Sequence, residues 1–459
     1  MRSKKLLITA ALGALLSTSL VGCKKASNVI TIWVGEESTT FYQEVCDKYV
    51  ADNPEFGYTV KVTGTDIGSN GGAMADDNTK CGDIISIAHD NIGKLVEKNR
   101  ILPFSSEEVI AQVEADNQQS FKDVVYYKND IGSGEQNYLY AVPYISQALF
   151  LYYNKTIVSA EQAKTFEGLM AAAKNSGSTV KAFTVDGMDG YNYSFNLLAR
   201  KADDNSTTLK LYENFGKKNC YAQGDDEVAS LKWAQRVFND PNGGEAPTDS
   251  GWTTLFKQGK VASVIAGAWR YDAAASIGRS NLGITVLPTY TFTSADVEGT
   301  TMTEGTKMQA GTFSDCKCFV LNAKDPAKVE KSQELVKFLA SKAVQLDSFI
   351  KCKNVPSYKG CEADIESVAS QVDETVLALA KAQLKMNEYG IAQPFISGTL
   401  NTYYYSKKAP EAYKDCVLNE DGSRGTTRAA RETLYTMQYI WMKGKEPAEI
   451  PAVLPANID

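Results

Sequence analysis

The chain alternates between two rhythms of apolar and polar positions. Ile30–Val34, the alternating Tyr58, Val60 and Val62, and Asp83–Ala88 have the length and period of strands. Between the first two, Phe41, Val45 and Tyr49 recur at helical spacing, Thr40 and Gln43 stand at capping-box distance, and Pro54 closes the segment. Gly68-Ser69-Asn70-Gly71-Gly72 and the residues from Ala73 onward carry no helix signal. Tyr138–Tyr144 and Ala148–Tyr153 are strand-like runs broken at Ser146-Gln147. A second block repeats the alternation. Thr165 caps a helix bearing Phe166, Leu169, Met170 and Ala173 that stops near Gly177, and Lys181–Val185 is strand-like. Val228, Leu231, Ala234 and Phe238 share one helical face, and Phe256, Gly259 and Val261–Ile265 make a helix–turn–strand step into Gly267-Ala268-Trp269. Asn281–Pro288 and Thr312–Leu321 are strand-like around a polar stretch, Thr291–Thr306. Asp325-Pro326 has the chemistry of a helix start, and the tail from Ala363 is helical by pattern. Strands separated by helices predict an α/β fold with mostly parallel sheets flanked by helices, and two such blocks with returning segments predict two lobes.

The N-terminus follows neither rhythm. Arg2, Lys4 and Lys5 precede an apolar run from Leu6 to Leu20, too short for a comfortable span of roughly 20 residues. Leu20-Val21-Gly22-Cys23 resembles a bacterial lipobox, in which the Cys23 thiol takes the lipid. Residues 1–22 are then a signal peptide and 23–28 a lipidated tether, so the body is exported and held at the membrane face. The 48 Lys and Arg face 55 Asp and Glu, a net charge of −7 that becomes −10 once Arg2, Lys4 and Lys5 leave with the signal. With no basic run beyond the extreme N-terminus, nucleic acid is not an expected partner.

Chemistry-bearing motifs are scarce. The lone histidine, His89, excludes multi-histidine metal sites and reads as a hydrogen-bonded residue at a strand end. No phosphate-binding G-x-x-x-x-G-K-[ST] loop, nucleophile elbow or H-E-x-x-H occurs, so neither an enzyme nor a cofactor is expected. Eight cysteines remain after Cys23, none in a C-x-x-C pair. Their even number in an oxidising compartment suggests disulfides, with Cys352–Cys361 the foremost pair; the alternative is that several are small buried hydrophobes.

Five fragments in order carry a resemblance: ITIWVGEES at the start of the body, Gly82–Phe104, Tyr138–Lys155, Leu255–Trp269 and Leu282–Tyr290. They resemble bacterial extracellular solute-binding proteins of ABC importers, of the maltose/maltodextrin-binding type, along nearly the whole mature chain. The resemblance implies a two-lobed periplasmic-binding-protein-like fold of type II, with a ligand cleft between lobes that closes by hinge motion. The N-terminal lobe would hold 29–145 and 291–353 and the C-terminal lobe 146–290 and 359–459, with crossings near 146–149, 286–290 and 354–358. Pro143 and Pro288 stiffen the chain beside two of these crossings. The protein would act as a monomer, delivering a carbohydrate, foremost an oligosaccharide, to ABC permease subunits.

A sugar presents hydroxyls around its edge and apolar C–H faces, so its site needs aromatic platforms and amide or carboxylate groups. By matching fragments, the resemblance points to Glu36, Glu37, Asp90, Asn91, Gln147, Asp189, Tyr191, Trp269 and Tyr403 as ligand-binding residues. Trp269 stands at a stacking position and Tyr403, within Tyr403-Tyr404-Tyr405, at another. Glu37 replaces a basic residue, Asn91 an arginine, Ile87 a tryptophan and Gln147 a glutamate of the maltose pattern, so maltose itself is not fixed. Two readings compete: a ferric-ion receptor using paired tyrosines such as Tyr404 and Tyr405, and a surface glycoside hydrolase using a carboxylate pair.

Overall fold

The computed structural model describes residues 28–393 except 133, 188, 204–223 and 247–250, together with 413–414, 416–417 and 429–443. The signal peptide, Cys23, Cys220 and Tyr403–Tyr405 lie outside the described residues. In chain order the strands are β1 (Val29–Gly35), β2 (Thr59–Thr65), β3 (Ile84–Ala88), β4 (Ile101–Leu102), β5 (Tyr126–Asn129), β6 (Gln136–Leu139), β7 (Val142–Gln147) and β8 (Phe150–Asn154). They continue as β9 (Thr184–Val185), β10 (Arg200–Lys201), β11 (Ser263–Ala266), β12 (Leu282–Thr285), β13 (Thr289–Thr291), β14 (Lys307–Gln309) and β15 (Asp315–Asn322). The chain divides into two compact units, one of Met1–Ser146 with Asp315–Gln371 and one of Gln147–Ser314 with Val372–Asp459.

The first unit is built on a sheet of order β2-β1-β3-β15-β4, with β7 also paired to β15. β1 runs parallel to β2 and β3, and β15 antiparallel to β3 and β4. Ile84, Ile85 and Ile87 are fully buried, the expected result for a strand covered on both faces, whereas β1 buries Ile30 and Ile32 on one face and leaves Thr31 and Trp33 half-buried on the other. Tyr144 stacks on Phe319 at 3.9 Å between ring centroids, and its hydroxyl pairs with Ser86 Oγ at 2.6 Å.

The second unit has a sheet of order β12-β8-β11-β9 and a smaller one of order β10-β14-β13. Its core is aromatic: Trp233 stacks on Tyr290 at 4.0 Å, and Phe166 meets Phe183 at 4.9 Å and Trp233 at 5.0 Å. Each such pair is worth about 0.5–1.5 kcal/mol beyond the area it buries.

Several sequence expectations change. The fold class stands, but strand directions are more mixed than a mostly parallel reading. β8 is antiparallel to both β11 and β12, and only β9 and β11 run parallel in that sheet. The second boundary falls at Ser314/Asp315 instead of 286–290, because the polar stretch after β13 returns as β14 and pairs with it antiparallel. Residues 291–314 therefore belong to the second unit, and 354–371 to the first. The glycine-rich 68–72 lies inside a helix, Ile67–Asp77, whose first turn is capped by Asp66 accepting from Gly68 N. The Thr40/Gln43 capping box is not formed. Gln43 reaches β2 instead, donating to Val60 O at 3.1 Å and accepting from Val62 N at 2.8 Å. Thr165 does cap the helix Phe166–Ser176, its Oγ1 accepting from Gly168 N at 2.9 Å.

The expected Cys352–Cys361 bridge is absent. Cys352 ends the helix Lys342–Cys352 beside Ser38, whereas the Cys361 thiol donates to Pro356 O. Cys46, Cys81, Cys316, Cys318, Cys352 and Cys361 are free thiols, and six of the seven described cysteines, all but Cys352, are buried as small hydrophobes. No described helix is long and apolar enough to cross a membrane.

Candidate functional site

The parallel pair β9 and β11 ends in two short loops, and that end of the sheet is where the second unit collects its polar and aromatic groups. Open α/β sheets place ligand chemistry at the carboxyl ends of strands. Asp186 follows β9 directly, its amide donating to Ile265 O at 3.0 Å. After β11 the chain turns at Gly267 into a single helical turn, Ala268–Arg270. Trp269 projects from that turn with 44% of its surface exposed, the only large apolar side chain so exposed among the described residues.

The indole is not loose. Its Nε1 donates to Asp186 Oδ2 at 3.2 Å, its ring lies 5.9 Å from Tyr191, and Tyr191 in turn stacks on Phe313 at 5.7 Å. The ring also leans over Gly267, where an added Cβ would stand 2.0 Å from it. Only glycine leaves room for this approach. Gly267→Ala is therefore expected to push the indole off its seat while β11 stays folded. Trp269 emission should change in the empty protein, with a shift of less than about 1.5 kcal/mol in urea stability. An unaltered spectrum would show that the contact does not hold the ring.

Asp186 is the centre of the cluster, although the sequence did not single it out. It is 5% exposed, and its Oδ1 accepts from Nε1 of the buried Trp252 at 2.8 Å. Arg270 Nε lies 2.7 and 2.8 Å from the two oxygens. Two indoles and a guanidinium thus converge on one carboxylate. A carboxylate just past a strand-like run was the available signal, but Asp189 shared it.

Asp189 is engaged within its own loop. Oδ1 accepts from Tyr191 N at 3.0 Å and from Asn192 N at 2.8 Å, and Asn192 Nδ2 reaches both oxygens. Burial pushes its carboxyl pKa up against these bonds. Its contribution is to hold Tyr191 in place. Gln147 ends β7 and is half-buried.

In the first unit, Glu36 and Glu37 lie exposed in one turn, Glu36–Ser38, after β1. Asp90 and Asn91 follow β3 in the turn His89–Asn91. Asn91 Nδ2 donates to Asp90 Oδ1 at 3.2 Å and lies 3.4 Å from Ala88 O, so the amide orients the half-buried carboxylate. Asn91 packs against Gly71, where an added Cβ would stand 2.3 Å from its carboxamide. Ile87 is fully buried in β3 and presents nothing to a ligand.

His89 is buried, with Nε2 3.6 Å from Asp315 Oδ1. Burial alone pulls the imidazole down, but the Asp315 carboxylate, with Cys316 and Asp90, outweighs it and pushes the pKa up to about 10. The native value lies above the ordinary value of about 6.5. Charged His89 therefore stabilises the fold fully below about pH 6.5 and loses that contribution as pH rises toward the native value. Because the chain has one histidine, its imidazole NMR signal can be followed without assignment. In Asp315→Asn the midpoint should fall, since burial is then opposed by Cys316 and Asp90 alone; an unmoved midpoint would remove Asp315 as the main cause.

The sequence profile of the bacterial extracellular solute-binding proteins matches residues 44–376. The chain belongs to that family. Solved structures agree with the fold of this solute-binding protein. A maltodextrin-binding protein from L. casei, determined without ligand, superposes with a TM-score of 0.69 at 20% identity, over 90% of this chain and 100% of that one. A structure determined with acarbose reaches 0.69 at 22% identity, over 92% and 100%. A Streptococcus pneumoniae protein in complex with maltopentaose reaches 0.64 at 20% identity, over 89% and 99%. At these identities the likeness is one of fold, that of the periplasmic-binding proteins. Among curated protein sequences none matches the chain.

Proposed function

We infer that this chain is the substrate-capturing receptor of an ABC importer and that its cargo is a carbohydrate, foremost an oligosaccharide. The observation that carries the reading is Trp269. A single exposed aromatic side chain is ordinary on a protein surface; what sets this one apart is that it is held in place by Asp186, Tyr191 and Gly267 at the carboxyl end of the sheet. A flat, fixed indole beside polar groups suits a pyranose, whose C–H face stacks while its edge hydroxyls seek donors and acceptors. The complexes of related structures with acarbose and maltopentaose support the same ligand class. Asp90, Asn91, Glu36, Glu37, Gln147 and Tyr191 are the further candidates for contact, with Tyr403 as a second platform. Asp189 then acts by holding Tyr191. The family is one of binding proteins, and the receptor performs no chemistry on its cargo.

Lipidation at Cys23 would keep the receptor at the membrane surface near the permease. Fatty-acid labelling that vanishes in Cys23→Ser would support this, and labelling that persists would refute it. The cargo is tested by a thermal-unfolding screen of the mature body against neutral and acidic oligosaccharides, with ferric iron as a further arm. A true ligand at about 100 times its dissociation constant adds roughly 2.7 kcal/mol. Stabilisation by iron alone, or turnover of a bound saccharide, would overturn the reading.

A further inference from the structure

This inference rests on the saccharide reading and adds a second contact to it. Arg270 follows Trp269 in the same turn, and its Nε is held by the Asp186 carboxylate at 2.7 and 2.8 Å. Beyond the ion pair of the guanidinium with Asp186, its two terminal nitrogens make no hydrogen bond among the described residues, and 38% of the side chain is exposed. Asp186 also takes the Trp269 N–H, so one buried carboxylate fixes an exposed aromatic ring and an unfilled guanidinium fork side by side.

A guanidinium offers donors only, in a rigid planar array. With Nε committed to Asp186, the terminal nitrogens still present donors, while the Asp186 charge offsets that of Arg270. The fork therefore suits neutral acceptors more than a second anion, which would have to compete with a carboxylate already in place. Adjacent hydroxyl oxygens of a pyranose are such acceptors, and they lie on the edge of a ring whose face can cover the indole.

We propose that Arg270 is a specificity-determining residue of the saccharide site. Its terminal nitrogens donate to two adjacent hydroxyl oxygens of the neutral sugar stacked on Trp269, and Asp186 is the positioning residue for both. Lysine cannot replace it, because an ammonium cannot hold Asp186 and present a fork at the same time.

The test uses the mature full-length body and titration calorimetry. A panel of neutral oligosaccharides, maltotetraose among them, and of uronate oligosaccharides identifies the tightest ligand of the wild type. Arg270→Ala and Arg270→Lys should each weaken the neutral ligand about tenfold or more. Wild-type affinity for it should hardly change between low and high salt. Monodeoxy analogues separate contact from support. Removing the contacted hydroxyl should weaken the wild type but cost Arg270→Ala nothing further, which a merely structural arginine would not produce. Wild-type affinity in Arg270→Ala, or equal sensitivity of both proteins to every deoxy analogue, would overturn the proposal. Uronates bound more tightly than neutral sugars would overturn it as well. A wild type that binds no saccharide would instead remove the receptor reading, and this inference with it.

Discussion

Trp269→Ala is expected to remove most of the saccharide-induced thermal shift while leaving the empty protein folded. The two halves of that result have separate causes. The indole is 44% exposed, so truncating it withdraws little from the core of the second unit. Asp186 keeps its bonds to Trp252 and Arg270. The empty protein should therefore unfold within about 0.5–1 kcal/mol of the wild type. Under a sugar stacked as proposed the same ring would be covered, and truncating a buried tryptophan anchor typically costs 2 kcal/mol or more, roughly 30-fold in affinity. A hundredfold loss, at a ligand concentration that gave roughly 2.7 kcal/mol in the wild type, would leave only about 0.4 kcal/mol. Calorimetry on the same variant reads the affinity directly. An unchanged dissociation constant would place the ligand elsewhere and remove the central observation behind the receptor reading.

What the sequence revealed, and what it hid, divides by the range of the interactions concerned. Thr165 is legible as a cap because its partner, Gly168 N, is three residues away. β3 is legible because burial on both faces writes a near-continuous apolar run, and β1 because Ile30, Ile32 and Val34 recur at the strand period on its buried face. Gln43 misleads because its amide is taken by β2, a partner that local spacing cannot show. The helix Ile67–Asp77 is hidden by its glycines, and Gly71 stands there because Asn91 occupies the space a side chain would need. The late unit boundary depends on β14 pairing with β13 across the polar stretch, again a tertiary choice. At the site the same rule holds. Trp269 is visible as a tryptophan just past a strand. Asp186 and Asp189 are not distinguishable until the hydrogen bonds show one gathering two indoles and a guanidinium and the other capping its own loop.

Asp186→Ala should be the most damaging single change near the platform, acting on stability and binding together. The carboxylate is 5% exposed and accepts from Trp252 Nε1, Trp269 Nε1 and Arg270 Nε. Removing it leaves the Trp252 N–H buried without a partner, which costs about 1–3 kcal/mol. It also leaves Arg270 without its counter-charge. A fully buried ion pair broken in this way costs about 3–5 kcal/mol, and the partial exposure of Arg270 brings the figure down. A total near 3 kcal/mol is expected, measured by urea unfolding of the empty protein. Asp186→Asn separates the two roles. The carboxamide oxygen can still accept one indole N–H, but its NH2 faces a guanidinium that has no acceptor to offer, so Arg270 is released. That variant should keep more of the fold than Asp186→Ala while losing saccharide affinity by about tenfold or more, because ring and fork are no longer held in register. If Asp186→Asn binds as the wild type does, the carboxylate serves the fold alone, and the platform is positioned by Gly267 and Tyr191 without it.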